Sequence, residues 1–152
     1  MLPGVSRTPR PDPNASPETG PDRRAQRAQL EAEQIRELEE YVEGWLAVPD
    51  VAEVQGLPLS AVRRQIQDRE LLAVRRGDNR ALYVPASFVT AEGPRPELRG
   101  TFTVLSDAGM GDLELLLWLF APDETFTGGS AMASILAGHK TEVRRRAMEE
   151  AF

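Results

Sequence analysis

The sequence predicts a mainly α-helical fold with one small β-hairpin, and three observations carry that prediction. Apolar residues recur at steps of three and four at Ile35, Leu38, Val42 and Trp45 and again at Leu59, Val62 and Ile66, the spacing of one helix face. Within "PDVAEVQGLPLSAVRRQIQDRELL" a glycine, Gly56, separates two short helical stretches, as in a helix-turn-helix. Two runs, "LLAVRR" and "ALYVP", flank "GDN" and read as the arms of a hairpin. A helix-turn-helix followed directly by a two-stranded wing is a winged helix-turn-helix, here with a helical C-terminal region.

The 152 residues suffice for one core without staples. The chain has no cysteine, which removes disulfides, thiolate metal sites and cysteine nucleophiles. Its one histidine, His139, builds no zinc site alone. The longest apolar run, "LELLLWLFA" at 113–121, is about half the roughly 20 residues that cross a bilayer. Residues 1–24 contain no apolar stretch of signal-peptide type. The expected location is therefore the cytoplasm, at the nucleoid if DNA is the partner, with no membrane association.

Residues 1–22 hold half of the twelve prolines and no apolar period, so a disordered tail is expected. Residues 23–45 read as an acidic amphipathic helix in which Ile35, Leu38, Val42 and Trp45 recur on one face, ending near Gly44. Its acidic outer face is a solvated surface or, alternatively, a partner-binding one. The winged segment spans 46–90, with helices at 49–55 and 58–69. Val51, Ala52 and Val54 are expected inward from the first, and Leu59, Val62 and Ile66 from the second. Gly77, Asp78 and Asn79 supply the hairpin turn. The C-terminal region, 91–152, opens with a helix near 96–108. "GMGD" breaks it, and Asp112 is expected to cap the apolar helix 113–120, whose Trp118 reads as core, with a dimer interface as the alternative. Pro122 stops that helix, "DETFTGGS" is a loop, and the remainder forms one or two helices interrupted near Gly138.

Net charge is −6 and the isoelectric point near 4.9, against the usual basic footprint of a nucleic-acid binder. The total hides segregation. Residues 28–58 carry one arginine against eight acids, and residues 81–137 two against seven. Residues 59–80 reverse the balance, with six arginines against three acids. On a helical wheel, Ser60, Arg63, Arg64 and Gln67 fall along one flank beside the apolar stripe. Arginine pairs with guanine edges, glutamine with adenine, and serine with either base edges or phosphate, so this flank is a candidate base-reading surface. On the wing, Arg75, Arg76 and Arg80 with Asn79 in the turn form a candidate phosphate-contacting tip. The alternative for both is a solvated surface, with wing charge guarding a strand edge.

Enzyme readings find no support. No G-x-x-x-x-G-K-[ST], G-x-S-x-G or H-E-x-x-H occurs, and neighbouring acids such as Glu39 and Glu40 or Asp123 and Glu124 read as surface. No cofactor is expected. Arg144, Arg145 and Arg146 spread around a helix and form a weaker patch than the wing.

The stretches "VAEVQGLPLSAVRRQIQDRELLAVRR", "YVP", "LSDAGMGDLELLLWLFAPDE" and "EVRRRAMEEAF" together resemble a small family of actinobacterial winged helix-turn-helix DNA-binding proteins whose known member is a substrate of a Ser/Thr protein kinase. The first is general to excisionase-like and MerR-like helix-turn-helix segments; the "DAG..D.E...WLF.PD" pattern is more specific. The resemblance covers about 47–152 and implies helix 58–69 as recognition helix, double-stranded DNA as partner and a Ser/Thr protein kinase as a second partner. Thr8 and Thr19 are candidate phosphate acceptors. The acidic helix departs from the family's pattern, so no regulatory site of the family's tail is carried over. The sequence thus predicts a non-enzymatic DNA-binding protein, a transcriptional regulator or nucleoid-associated factor. An interaction adaptor built on the same scaffold is the alternative.

Overall fold

The computed structural model describes residues 20–151. Most of the expected tail, residues 1–19, lies outside the described residues, but Pro21 and Asp22 are not tail: they open helix α1 (Pro21–Tyr41). A proline at the first helical position loses no bond, because its missing N–H would have no intrahelical acceptor. The chain divides into two units at Ala32. The first contributes the opening half of α1, exposed from Pro21 to Ala32; the second, from Glu33, contains every other described element.

In the second unit α1 buries Leu38 and stops at Tyr41, short of Gly44. Trp45, which keeps helical step with Leu38 and Val42, instead opens a strand, β1 (Trp45–Ala47). Helices α2 (Val48–Gln55) and α3 (Leu59–Gln67) follow, then β2 (Val74–Arg76) and β3 (Ala81–Pro85). The sheet has three antiparallel strands in the order β1-β3-β2, pairing Trp45 with Pro85, Ala47 with Tyr83, Val74 with Tyr83 and Arg76 with Ala81. The wing is therefore a hairpin extended by a third strand contributed from ahead of the helix-turn-helix. A further short ladder, β4 (Val89–Thr90) with β5 (Gly93–Pro94), leads to α4 (Pro96–Asp107), α5 (Asp112–Phe120), α6 (Ala131–Leu136) and α7 (Lys140–Glu149).

One buried cluster runs from Leu38 through Val51, Val62, Leu71 and Val84 to Leu98, Leu116, Ile135 and Val143. Phe88, fully buried, joins the winged segment to the C-terminal helices. Its ring centre lies 5.4 Å from that of Phe102 and 5.6 Å from that of Phe120, within the range of favourable aromatic pairs.

Two expected core residues are not core, and a third, Trp118, packs against the core only in part. Val54 is 44% exposed: α2 buries Val48, Val51 and Ala52, and Val54 lies about 110° around the helix from the centre of that stripe. Leu59 is 41% exposed, since it occupies the first turn of α3 and Gly56, Leu57, Pro58 and Ser60 around it are exposed too. Trp118 is half-buried; its indole N–H donates to Glu150 Oε1 at 2.9 Å and its ring meets the edge of Phe126. The buried positions of α5 are Leu115, Leu116 and Leu119.

Candidate nucleic-acid interface

The turn between α2 and α3 depends on Gly56, whose φ of 65° and ψ of 34° are left-handed. Nothing lies within 4 Å of where its Cβ would stand, so backbone conformation and not space selects glycine there. The Gly56 N–H donates to Glu53 O and that of Leu57 to Ala52 O at 3.0 Å, which closes α2 before the chain turns. Pro58, extended at φ −69° and ψ 159°, precedes α3 without a side-chain cap. The first amides of α3 are thus left for water or an incoming anion.

Three contacts fix α3 in place. Val62 is fully buried. Gln65 Nε2 donates to Gln55 Oε1 at 2.8 Å, tying α3 to α2. Beyond the helix end, Arg69 takes a left-handed φ of 60° and its Nη2 donates to Ser106 Oγ and to Asp112 Oδ1, both at 3.0 Å. Asp112 therefore does not cap α5, as the sequence predicts; it is that helix's first residue, behind Gly111, and holds Arg69.

Opposite these contacts Leu59, Ser60, Arg63, Arg64 and Gln67 are exposed, on an arc of about 140° at 100° per residue. Ser60, Arg63, Arg64 and Gln67 form no hydrogen bond or ion pair with another described side chain. The structure brings together all four residues that the sequence places on this flank, and adds Leu59, which its apolar character had assigned to the core.

The wing turn at 77–80 uses left-handed conformations at Gly77 (φ 77°) and Arg80 (φ 54°), with the Arg80 N–H donating to Gly77 O. Asn79 Oδ1 accepts from the Ala81 N–H at 3.3 Å, so its side chain stabilises the turn. Arg75 Nη1 donates to Arg80 O at 3.0 Å while staying exposed, which draws Arg75 and Arg80 together at the tip. Arg76 is not with them. Strand alternation turns it to the other face, where its Nη2 lies 2.7 Å from Glu39 Oε2 and its guanidinium 4.4 Å from the centre of the Trp45 ring and 5.1 Å from that of Tyr83.

The six arginines of residues 59–80 thus divide by role. Arg69 and Arg76 are paired with carboxylates, whereas Arg63, Arg64, Arg75 and Arg80 present exposed positive charge. The arginines of α7 are mostly structural. Arg146 donates to Thr125 Oγ1 at 2.7 Å, lies 3.5 Å from Asp123 and stacks 3.8 Å from the centre of Phe126. Arg144 packs on Gly100, where a Cβ would meet its guanidinium at 2.4 Å. The same neighbours hold the Asp123 carboxyl below its ordinary pKa, chiefly through the Thr125 hydroxyl, then the Thr125 amide and Arg146. His139 is exposed ahead of α7. Among the described residues no group of three or more acids or histidines is placed to hold a metal ion, and no helix is long and apolar enough to cross a membrane.

A helix-turn-helix, a basic hairpin beside it and a third strand returning from the N-terminal side define a winged helix-turn-helix protein. Residues 38–89 match the family described as "DNA-binding protein Rv2175c, wHTH domain", and residues 96–151 match "Rv2175c C-terminal domain of unknown function". The chain belongs to the Rv2175c family. It is 40% identical over 81 residues to DNA-binding protein Rv2175c of Mycobacterium tuberculosis (strain ATCC 25618 / H37Rv), an alignment covering 53% of this chain and 54% of that one, so the match spans about half of that relative's length. The solved NMR structure of Rv2175c superposes with a TM-score of 0.58 at 33% identity, covering 72% of this chain and 82% of the other.

Proposed function

We propose that this protein binds double-stranded DNA with α3 in the major groove and the wing tip on the phosphate backbone, as a transcriptional regulator or nucleoid-associated factor in the cytoplasm. One observation carries the reading: Ser60, Arg63, Arg64 and Gln67 have no side-chain partner among the described residues and stand on a helix whose opposite side is buried, bonded to α2 and anchored at its end by Arg69. Base discrimination needs such a rigid presentation, since a displaced guanidinium cannot make both bonds of a bidentate pair. Arg75 and Arg80 supply sequence-independent phosphate contacts beside it. The name of the relative, a DNA-binding protein, supports the same reading. The acidic total of the chain does not oppose it, because the acids lie mainly outside residues 59–80.

Nothing in this role calls for catalysis. A Ser/Thr protein kinase as second partner rests on the family resemblance; Thr8 and Thr19, its candidate acceptors, lie outside the described residues. The test is binding of the full chain to a randomised duplex library at two salt concentrations. We expect binding that weakens steeply with salt and a selected subset that binds more tightly than the bulk. Absence of binding even at low salt would turn the assignment to the adaptor, which would meet its partner through the acidic helix or the apolar C-terminal helices.

A further inference from the structure

Three of the six exposed large hydrophobic side chains among the described residues fall within six positions: Val54 at 44%, Leu57 at 41% and Leu59 at 41%. They surround the turn that leads into α3. Exposed leucines scattered singly need no explanation, but a group at one corner of a candidate binding face does. Leu59 is the informative member. It stands one helical turn before Arg63, about 40° from it around the axis, and so belongs to the arc that also carries Ser60 and Gln67. It lies in the first turn of the helix, the part whose residues contact base edges in helix-turn-helix complexes.

The major groove displays one apolar group, the C5-methyl of thymine, and side chains that read it do so by apolar contact. We infer that Leu59 is a specificity-determining residue that recognises a thymine methyl in the bound site. The inference rests on the DNA-binding reading and deepens it: the arc has a polar part for purine edges and an apolar part for thymine. Covering Leu59 against a methyl removes apolar surface of both partners from water, whereas cytosine or uracil at that position offers no such group. Discrimination is then set by the burial of one methyl, about fourfold in affinity.

Exchange of thymine for deoxyuridine removes that methyl and leaves the pairing edge intact. The tightest duplex from the library is made with single thymine-to-deoxyuridine exchanges at each thymine in turn, and its affinity for the full chain is measured. At one position or more the wild type is expected to lose about fourfold. Leu59→Ala should bind the thymine duplex more weakly and show no further loss with deoxyuridine, while Arg64→Ala should retain the loss. Equal affinity of the wild type for all exchanged duplexes overturns the inference, and so does an undiminished loss in Leu59→Ala. A change from dimer to monomer in Leu59→Ala by sedimentation also overturns it, since the leucines would then cover a second copy of the chain. Failure to bind any duplex removes the DNA-binding reading itself, which is a different result from tight binding that ignores the methyl.

Discussion

Arg76 meets Glu39 at 2.7 Å while its guanidinium lies over the Trp45 ring, and these contacts remove from the wing one of the three guanidinium groups that the sequence assigns to it. The Arg76 side chain is only 19% exposed. Its work is to hold β2 against α1 and β1. Arg76→Ala should therefore destabilise the fold, by about 1–2 kcal/mol after allowance for the partly exposed Glu39, and leave the salt dependence of DNA binding unchanged. Denaturant unfolding and salt titration of one purified variant give both readings. A shallower salt slope with unchanged stability would return Arg76 to the phosphate contacts.

Arg75 and Arg80 should behave in the opposite way. Replacing each by alanine is expected to weaken binding to all duplexes alike and to reduce the slope of log affinity against log salt by about 0.9 per lost contact. The unfolding free energy should stay within about 0.5 kcal/mol of wild type, as for other exposed substitutions. An unaltered slope would make the tip a solvated surface.

Arg64→Ala and Gln67→Ala should change which sequences are chosen. Each is expected to cost about 1–3 kcal/mol on a selected site and to relax preference at one base position, with nonspecific affinity nearly unaltered. Selection from the same library with wild type and both variants checks this. Identical preferences at full affinity would mean that α3 is not the reading element.

A titration tests the C-terminal region independently of DNA. The folded Asp123 carboxyl has a lowered pKa, from the Thr125 hydroxyl first and Arg146 among the lesser causes. A group with a folded pKa below its unfolded value adds stability that is fully present above the unfolded value and is lost as pH falls through the folded one. Wild type should then exceed Asp123→Asn in stability at neutral pH, and the difference should close only below the ordinary carboxylate range. Thermal unfolding of the two proteins between pH 7 and about pH 2 measures it; a gap independent of pH would assign the difference to geometry instead.

Much of this fold is legible in the residues, for identifiable reasons. Gly56 marks the turn because left-handed backbone selects for it, and in "GDN" Gly77 does so for the same cause while Asn79 holds the turn through its side chain. Strand β1 is not legible, since three residues directly abutting α2 carry no punctuation and Trp45 keeps step with the helix before it. Ser60, Arg63, Arg64 and Gln67 can be grouped from helical geometry alone, which needs no tertiary information. Separating Arg76 from Arg75 needs the opposite: alternation along β2 says that the two face apart, but only the arrival of Glu39 and Trp45 from other elements says which is covered. The exposure of Leu59 and Val54 is not legible either, because hydrophobicity records what a side chain prefers and not whether anything packs over it.

Phe88 lies at the end of the segment that one family model describes, and the rings around it, Phe102 and Phe120, lie within the segment described by the other. The seam between the two models therefore runs through the middle of a shared aromatic contact. A fragment stopped at residue 89 would uncover the side of the Phe88 ring that meets Phe102 and Phe120, and the complementary fragment would lose the ring that both of them pack on. Each half thus acts as the other's solvent shield, so the C-terminal segment, whatever else it does, is a folding partner of the winged segment and not a detachable appendage.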